Sequence, residues 1–195
     1  MAAFVLGNGV SRGPVDVDLL LRLGPVYGCN ALYRTHAVTA LVATDRPIAE
    51  AIQASGYSLE HRFYTRRPQP NTGAQAVPRP YFGFSSGPIA LALAAAENAN
   101  SRVYLLGYDL GPTESGKFNN LFADTEHYKT SAAAPTFTGN WIRQMITVMR
   151  DHPDCQFLRV YGATTAVIAE FEAVRNLERV DMVEFLRRIN TTKDL

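Results

Sequence analysis

At 195 residues the chain fits one domain (1–195) with room for a sizeable core, and its composition, 47% hydrophobic and 19% charged, excludes a disordered polymer. A net charge of +1 gives no electrostatic case for non-specific binding to nucleic acid or to an acidic membrane. The two cysteines, Cys29 and Cys155, lack metal-ligand spacing and read as reduced thiols of a cytoplasmic protein; no secretory signal is visible, and the Ala-rich run near residue 90 is too short to span a bilayer.

Residues 3–6 read as a buried strand that runs straight into Gly7-Asn8-Gly9-Val10-Ser11-Arg12-Gly13, a turn whose backbone N–H groups suit a phosphate. Residues 16–23 follow as a short helix stopped by Gly24-Pro25, then a strand over 26–30 and another over 39–44, closing on Asp45. Pro47 opens a helix to residue 54. Residues 60–65 suggest a strand, whereas four prolines and a glycine between 66 and 80 exclude regular structure there. Ser85-Ser86-Gly87-Pro88 starts an Ala/Leu helix to about residue 98, apolar on nearly all faces and therefore expected to be deeply packed. The clearest buried strand, 102–106, ends at Gly107-Tyr108-Asp109. A long polar segment, about 111–139, reads as a mobile lid or insertion. An amphipathic helix over 140–150, a strand over 155–160 and helical signals at 165–174 and 181–188 complete the chain.

Strands alternating with helices predict an α/β fold, Rossmann-like, with a mainly parallel sheet covered on both faces. Ligands of such sheets bind beyond the carboxyl ends of the strands, where Asn8, Ser11, Asn30, Asp45, Ser86 and Asp109 fall together by topology. The glycine turn contains G-x-G but carries its third glycine one position late for a dinucleotide fingerprint, and Asn30 stands where an acidic residue would hold the ribose. No Gly-Lys-Ser/Thr follows, which excludes a P-loop. Asn8 and Asn30 offer both donor and acceptor to a base or ribose, and Asp45 adds an acceptor; a ligand-free turn and loop capping stay open as alternatives.

Four stretches in order carry a resemblance: Gly7-Asn8-Gly9-Val10-Ser11, Cys29-Asn30, Ser85-Ser86-Gly87 before the Ala-rich helix, and Leu105-Leu106-Gly107-Tyr108-Asp109. Over residues 3–110 the chain resembles the bacterial sialyltransferases that build lipooligosaccharides from CMP-sialic acid, and its shortness fits the compact versions of that domain carried by bacteriophages. The resemblance implies nucleotide contacts from Asn8, Gly9, Asn30, Asp45, Ser85, Ser86, Gly87 and Asp109, with Ser11 on the phosphate side, and inverting transfer or hydrolysis of the sugar without a metal or cofactor. It also implies a histidine base in the lid, where His127 is the candidate, beside Tyr128. Arg66 and Arg67 then face the phosphate or the acceptor. Two leaving-group tyrosines of that family are replaced here, by Gly111 and at best Phe118. The expected partners are a nucleotide or nucleotide-sugar and a sugar acceptor that the residues do not identify, with no nucleic acid and no integral membrane segment. A homo-oligomer stays open through Trp141 and the C-terminal helix. The rival readings are a non-catalytic nucleotide-binding protein and another nucleotide-dependent enzyme on the same fold.

Overall fold

The structure, a computed structural model, describes residues 2–191. Eight strands form one sheet: β1 (Ala2–Leu6), β2 (Val26–Cys29), β3 (Ala40–Val42), β4 (Phe63–Thr65), β5 (Gln75–Ala76), β6 (Arg102–Leu106), β7 (Gln156–Tyr161) and β8 (Leu177–Asp181). Their order is β5-β4-β3-β2-β1-β6-β7-β8 and every neighbouring pair is parallel. The helices are α1 (Val17–Leu23), α2 (Arg46–Ala54), α3 (Tyr57–Glu60), α4 (Ser86–Glu97), α5 (Gly139–Asp151) and α6 (Met182–Thr191). This is the predicted Rossmann-like α/β architecture, with the sheet wholly rather than mainly parallel.

An all-parallel sheet must be covered on both faces, and the period-2 pattern of the strands divides the core accordingly. Ala3 and Val5 of β1 face the layer made by α4 and α5, with Val103, Leu105 and Phe157 beside them. Phe4 and Leu6 face the other layer, where Leu20 of α1, Ile48 and Ile52 of α2 and Phe185 of α6 pack. Helix α4 is buried from Pro88 to Ala95. Its alanines let the helix axis lie close over β1, β2 and β3, the physical reason for its low polarity.

Three expectations need correction. The helix expected over 165–174 is only a short 3-10 turn at Ala169–Ala173. Next, residues 177–181 form an unforeseen edge strand, β8, because Glu178, Arg179 and Asp181 lie exposed and only Val180 is buried, which hides the strand period. Thirdly, the Pro-rich stretch contains a two-residue edge strand, β5, and a turn at Arg79–Tyr81. An edge strand this short tolerates prolines on either side. Among the described residues, no helix is long and apolar enough to cross a membrane.

Candidate functional site

From β1 the chain builds outward to β5 on one side, and from β6 to β8 on the other. The chain leaves β1 for the layer that holds α1 and leaves β6 for the layer that holds α5, and the carboxyl edge at this reversal is the general ligand position in such sheets. A cavity of about 350 Å³ occupies it. Asn8, Gly9, Asn30 and Asp45 line it from the β1–β3 loops, Ser85, Ser86 and Gly87 from the start of α4, and Asp109 from the loop after β6. Arg66 joins them from the Pro-rich segment.

Asp109 is buried and saturated with donors. Its carboxylate accepts the Ser11 N–H at 3.1 Å, the Ser11 hydroxyl, the Thr164 hydroxyl at 2.7 Å and the Thr165 hydroxyl at 3.3 Å. The glycine turn is thereby tied to the loop after β7. Gly9 is required here, since a Cβ would press on the Asp109 carboxyl carbon and lie 2.6 Å from Asp109 Oδ2 and 2.7 Å from the Gly107 carbonyl oxygen. Two buried arginines flank the knot. Arg12 donates through Nε to the Gly7 carbonyl at 2.8 Å; Arg159 donates to the Tyr108 carbonyl at 2.8 and 3.1 Å and to the Asp109 carbonyl at 3.2 Å. Burial holds both guanidinium groups below their ordinary pKa, and the Asp109 charge opposes that shift.

The phosphate cradle expected of this turn is not what its N–H groups form. The Gly9 N–H donates to Gly107, Val10 to the Asn119 side chain, Ser11 to Asp109 and Arg12 to the Gly9 carbonyl. Ser11 itself is absent from the cavity wall, its hydroxyl being held by Asp109. The turn's donors are taken up because the β1–β6 register brings the Gly107 carbonyl to Gly9 and the Asp109 carboxylate to Ser11, while the Asn119 side chain and the Gly9 carbonyl accept the other two.

The β2–β3 side differs. Asn8 donates weakly to the Cys29 carbonyl at 3.4 Å, while its Oδ1 is buried without a donor. Asn30 follows β2 in a left-handed conformation, φ 54°, and its Oδ1 is likewise buried and unpaired. Ser86 accepts the Thr44 N–H at 3.0 Å and so joins β3 to α4. Ser85 stands at the start of α4, and Asp45 at the start of α2, yet neither side chain caps its helix. Buried Cys29 also borders the cavity; burial pushes its thiol up to about 12, so it is a neutral SH at ordinary pH rather than a nucleophile.

Residues 111–138 hold no helix or strand and form a wall of the cavity. The segment is docked onto the turn after β1 by Leu121 N–H to the Asn8 carbonyl at 2.7 Å and by Val10 N–H to Asn119. Behind β2 it is docked by Ala31 N–H to the Tyr128 hydroxyl at 3.2 Å and by Arg34 to Thr125 and the Glu126 carbonyl. Tyr128 is thus an anchor of the segment, and burial raises its pKa. His127 lies beside exposed Glu126 at 3.7 Å with φ 69°, and neither it, Tyr128 nor Arg67 lines the cavity. Gly111 and Phe118 do line it, and a Cβ at Gly111 would come within 2.8 Å of Ala166, so the volume a tyrosine needs is already taken.

The sequence reading missed Asn119, Asn120, Thr136 and Thr138 as lining residues. Their only signal was polarity inside a long loop. Trp141 and Met145 of α5 give the cavity an apolar end. Among the described residues no group of three or more His, Cys, Asp or Glu is arranged to hold a metal. Compared with protein-family models, curated proteins and solved structures, the chain matches none.

Proposed function

We propose that the cavity binds a nucleotide, with a CMP-sugar favoured, and that the protein transfers or hydrolyses the sugar in the manner of the inverting sialyltransferases its motifs resemble. The observation that carries the nucleotide reading is the pair of buried, donorless amide oxygens on Asn8 and Asn30 at the strand-switch crevice. An unpaired buried acceptor costs roughly 1–3 kcal/mol, and a ligand N–H, such as a base amino group, restores the missing bond. Both oxygens are closed to water, so a small rotation of each amide accompanies binding.

On this reading the phosphate lies toward the first turn of α4, where the Ser86 and Gly87 N–H groups carry the positive end of the helix dipole, with Arg66 beside them. Arg66 is held in place by the Phe82 and Phe84 carbonyls at 2.8 and 2.7 Å, which positions its guanidinium without neutralising it. The sugar then meets Phe118 and Trp141.

A second reading, nucleotide binding without chemistry, is favoured by the cavity wall itself. Among the described residues it holds no histidine and, at positions 111 and 118, no phenol; of their two carboxylates on this wall, Asp109 is saturated and Asp45 is the one left to accept a proton. The test is a thermal melt with CMP, CMP-sialic acid, UMP and AMP, followed by measurement of CMP release. Binding stabilises the fold in proportion to ligand concentration over Kd, so CMP is expected to raise Tm more than UMP or AMP. No shift with any nucleotide overturns the pocket assignment. A shift without release of CMP leaves the binding protein, and release that survives His127→Ala but not Asp45→Asn identifies the carboxylate as the base.

A further inference from the structure

A second cavity, of about 470 Å³, lies against the first and shares two wall residues with it, Thr44 and Arg66. It runs along α2 between that helix and residues 65–70. The groove has a fixed width, because buried Gln53 of α2 holds the facing segment. Its Oε1 accepts the Gln69 N–H at 2.7 Å and the Thr72 hydroxyl at 3.1 Å, and its Nε2 donates to the Arg67 carbonyl at 3.4 Å. Pro68 and Pro70 stiffen the same wall.

The groove is cationic. Among the described residues, Arg46, Arg66 and Arg67 line it against the one carboxylate of Glu50, which is already paired with Arg46 at 2.7 Å. The Arg67 guanidinium makes no hydrogen bond or ion pair among the described residues. Arg66 spans the partition, its side chain locked by two carbonyls, so one guanidinium borders both spaces.

We infer that this groove is the site of a second substrate, a sugar bearing a carboxylate or phosphate, whose anionic group meets Arg67 and Arg66 while the rest of it reaches the nucleotide cavity at Thr44. A planar guanidinium without a partner is matched to a bidentate oxyanion, and a neutral sugar gains nothing from it. The assignment to a second substrate rests on the nucleotide reading above; the anion site itself rests on the groove.

The test titrates the full chain with glucuronate, glucose 6-phosphate and glucose, with and without CMP, following the arginine Nε–H resonances by NMR. Both anionic sugars are expected to bind at least about tenfold more tightly than glucose, to shift Arg67 and Arg66, and to weaken with added salt. A preference for one of them tells carboxylate from phosphate. Arg67→Gln combined with Arg46→Gln, both on the surface, is expected to abolish the preference over glucose with CMP affinity unchanged. Equal binding of glucose, undiminished anion binding in the double variant, or displacement of the anions by CMP overturns the inference. CMP binding without anion binding sinks the groove alone. Anion binding without any nucleotide binding sinks the nucleotide reading, and with it the role of second substrate.

Discussion

The carboxyl edge of the sheet divides at β1 into two halves built on opposite terms. On the β6–β7 side the charged groups at that edge are fully paired: Asp109 accepts four donors, and Arg159 spreads its guanidinium over two carbonyls and the Tyr161 hydroxyl. On the β2–β3 side Asn8 and Asn30 keep unpaired buried oxygens, Asn30 holds a left-handed backbone, and Ser85 and Asp45 leave their helices uncapped. The difference separates scaffold from site. Saturated groups hold the turn in one shape, while unpaired ones cost stability that only a ligand returns.

The largest expected effect breaks the saturated half. Asp109→Asn turns one acceptor oxygen into a donor facing other donors and leaves Arg12 and Arg159 without a nearby negative charge. A loss of about 3 kcal/mol or more is expected, read as a lower denaturation midpoint at unchanged slope. If Asp109→Asn destabilises no more than Asn8→Ala, the contrast between the halves is wrong. Gly9→Ala tests the same knot by volume. Its Cβ would press on the Asp109 carboxylate and the Gly107 carbonyl, for an expected loss of about 1–3 kcal/mol.

On the open half the pattern inverts. Asn8→Ala, and Asn30→Gly chosen to keep the positive φ, are expected to change stability by less than about 1 kcal/mol while weakening CMP binding about tenfold each, measured by calorimetry. Large destabilisation with intact CMP affinity would make these residues scaffold after all.

The smallest effect serves as a control at the opposite edge of the sheet, where Arg62 hydrogen-bonds Glu97 at 3.0 Å and lowers its pKa. A depressed carboxylate contributes stability above its ordinary value of 4.5 and loses it as pH falls through the folded value. Glu97→Gln should therefore flatten the acid limb of a stability–pH curve by no more than about 1 kcal/mol, since the pair is partly exposed. It should leave CMP binding unchanged. An effect of Glu97→Gln on CMP affinity would tie the two edges together and blur the comparison.

How much of this was legible beforehand follows from the range of each interaction. The parallel sheet, the buried α4 with Ser86 at its start, and the positions of Asn8, Asn30, Asp45 and Asp109 just beyond strand ends are written in local apolar runs and in the turns that close them. β8 is hidden in the sequence because its solvent face breaks the apolar run, and the helical signals at 165–174 yield only a 3-10 turn because a helix so short persists only where an amphipathic face packs.

The roles of individual residues were decided only in three dimensions. Asn8 and Ser11 are three positions apart in one turn, yet Asp109 and the loop after β7 draw Ser11 into the scaffold and leave Asn8 on the cavity wall. His127 and Tyr128 are adjacent in sequence, but docking of their segment behind β2 makes Tyr128 an anchor and sets His127 beside exposed Glu126. Periodicity and turn chemistry act over a few residues and therefore determine the elements. Which polar group is satisfied, and which is left for a ligand, depends on partners about a hundred positions away, such as Asp109 for Ser11 and Tyr128 for Ala31, and only the folded chain brings them within hydrogen-bond reach.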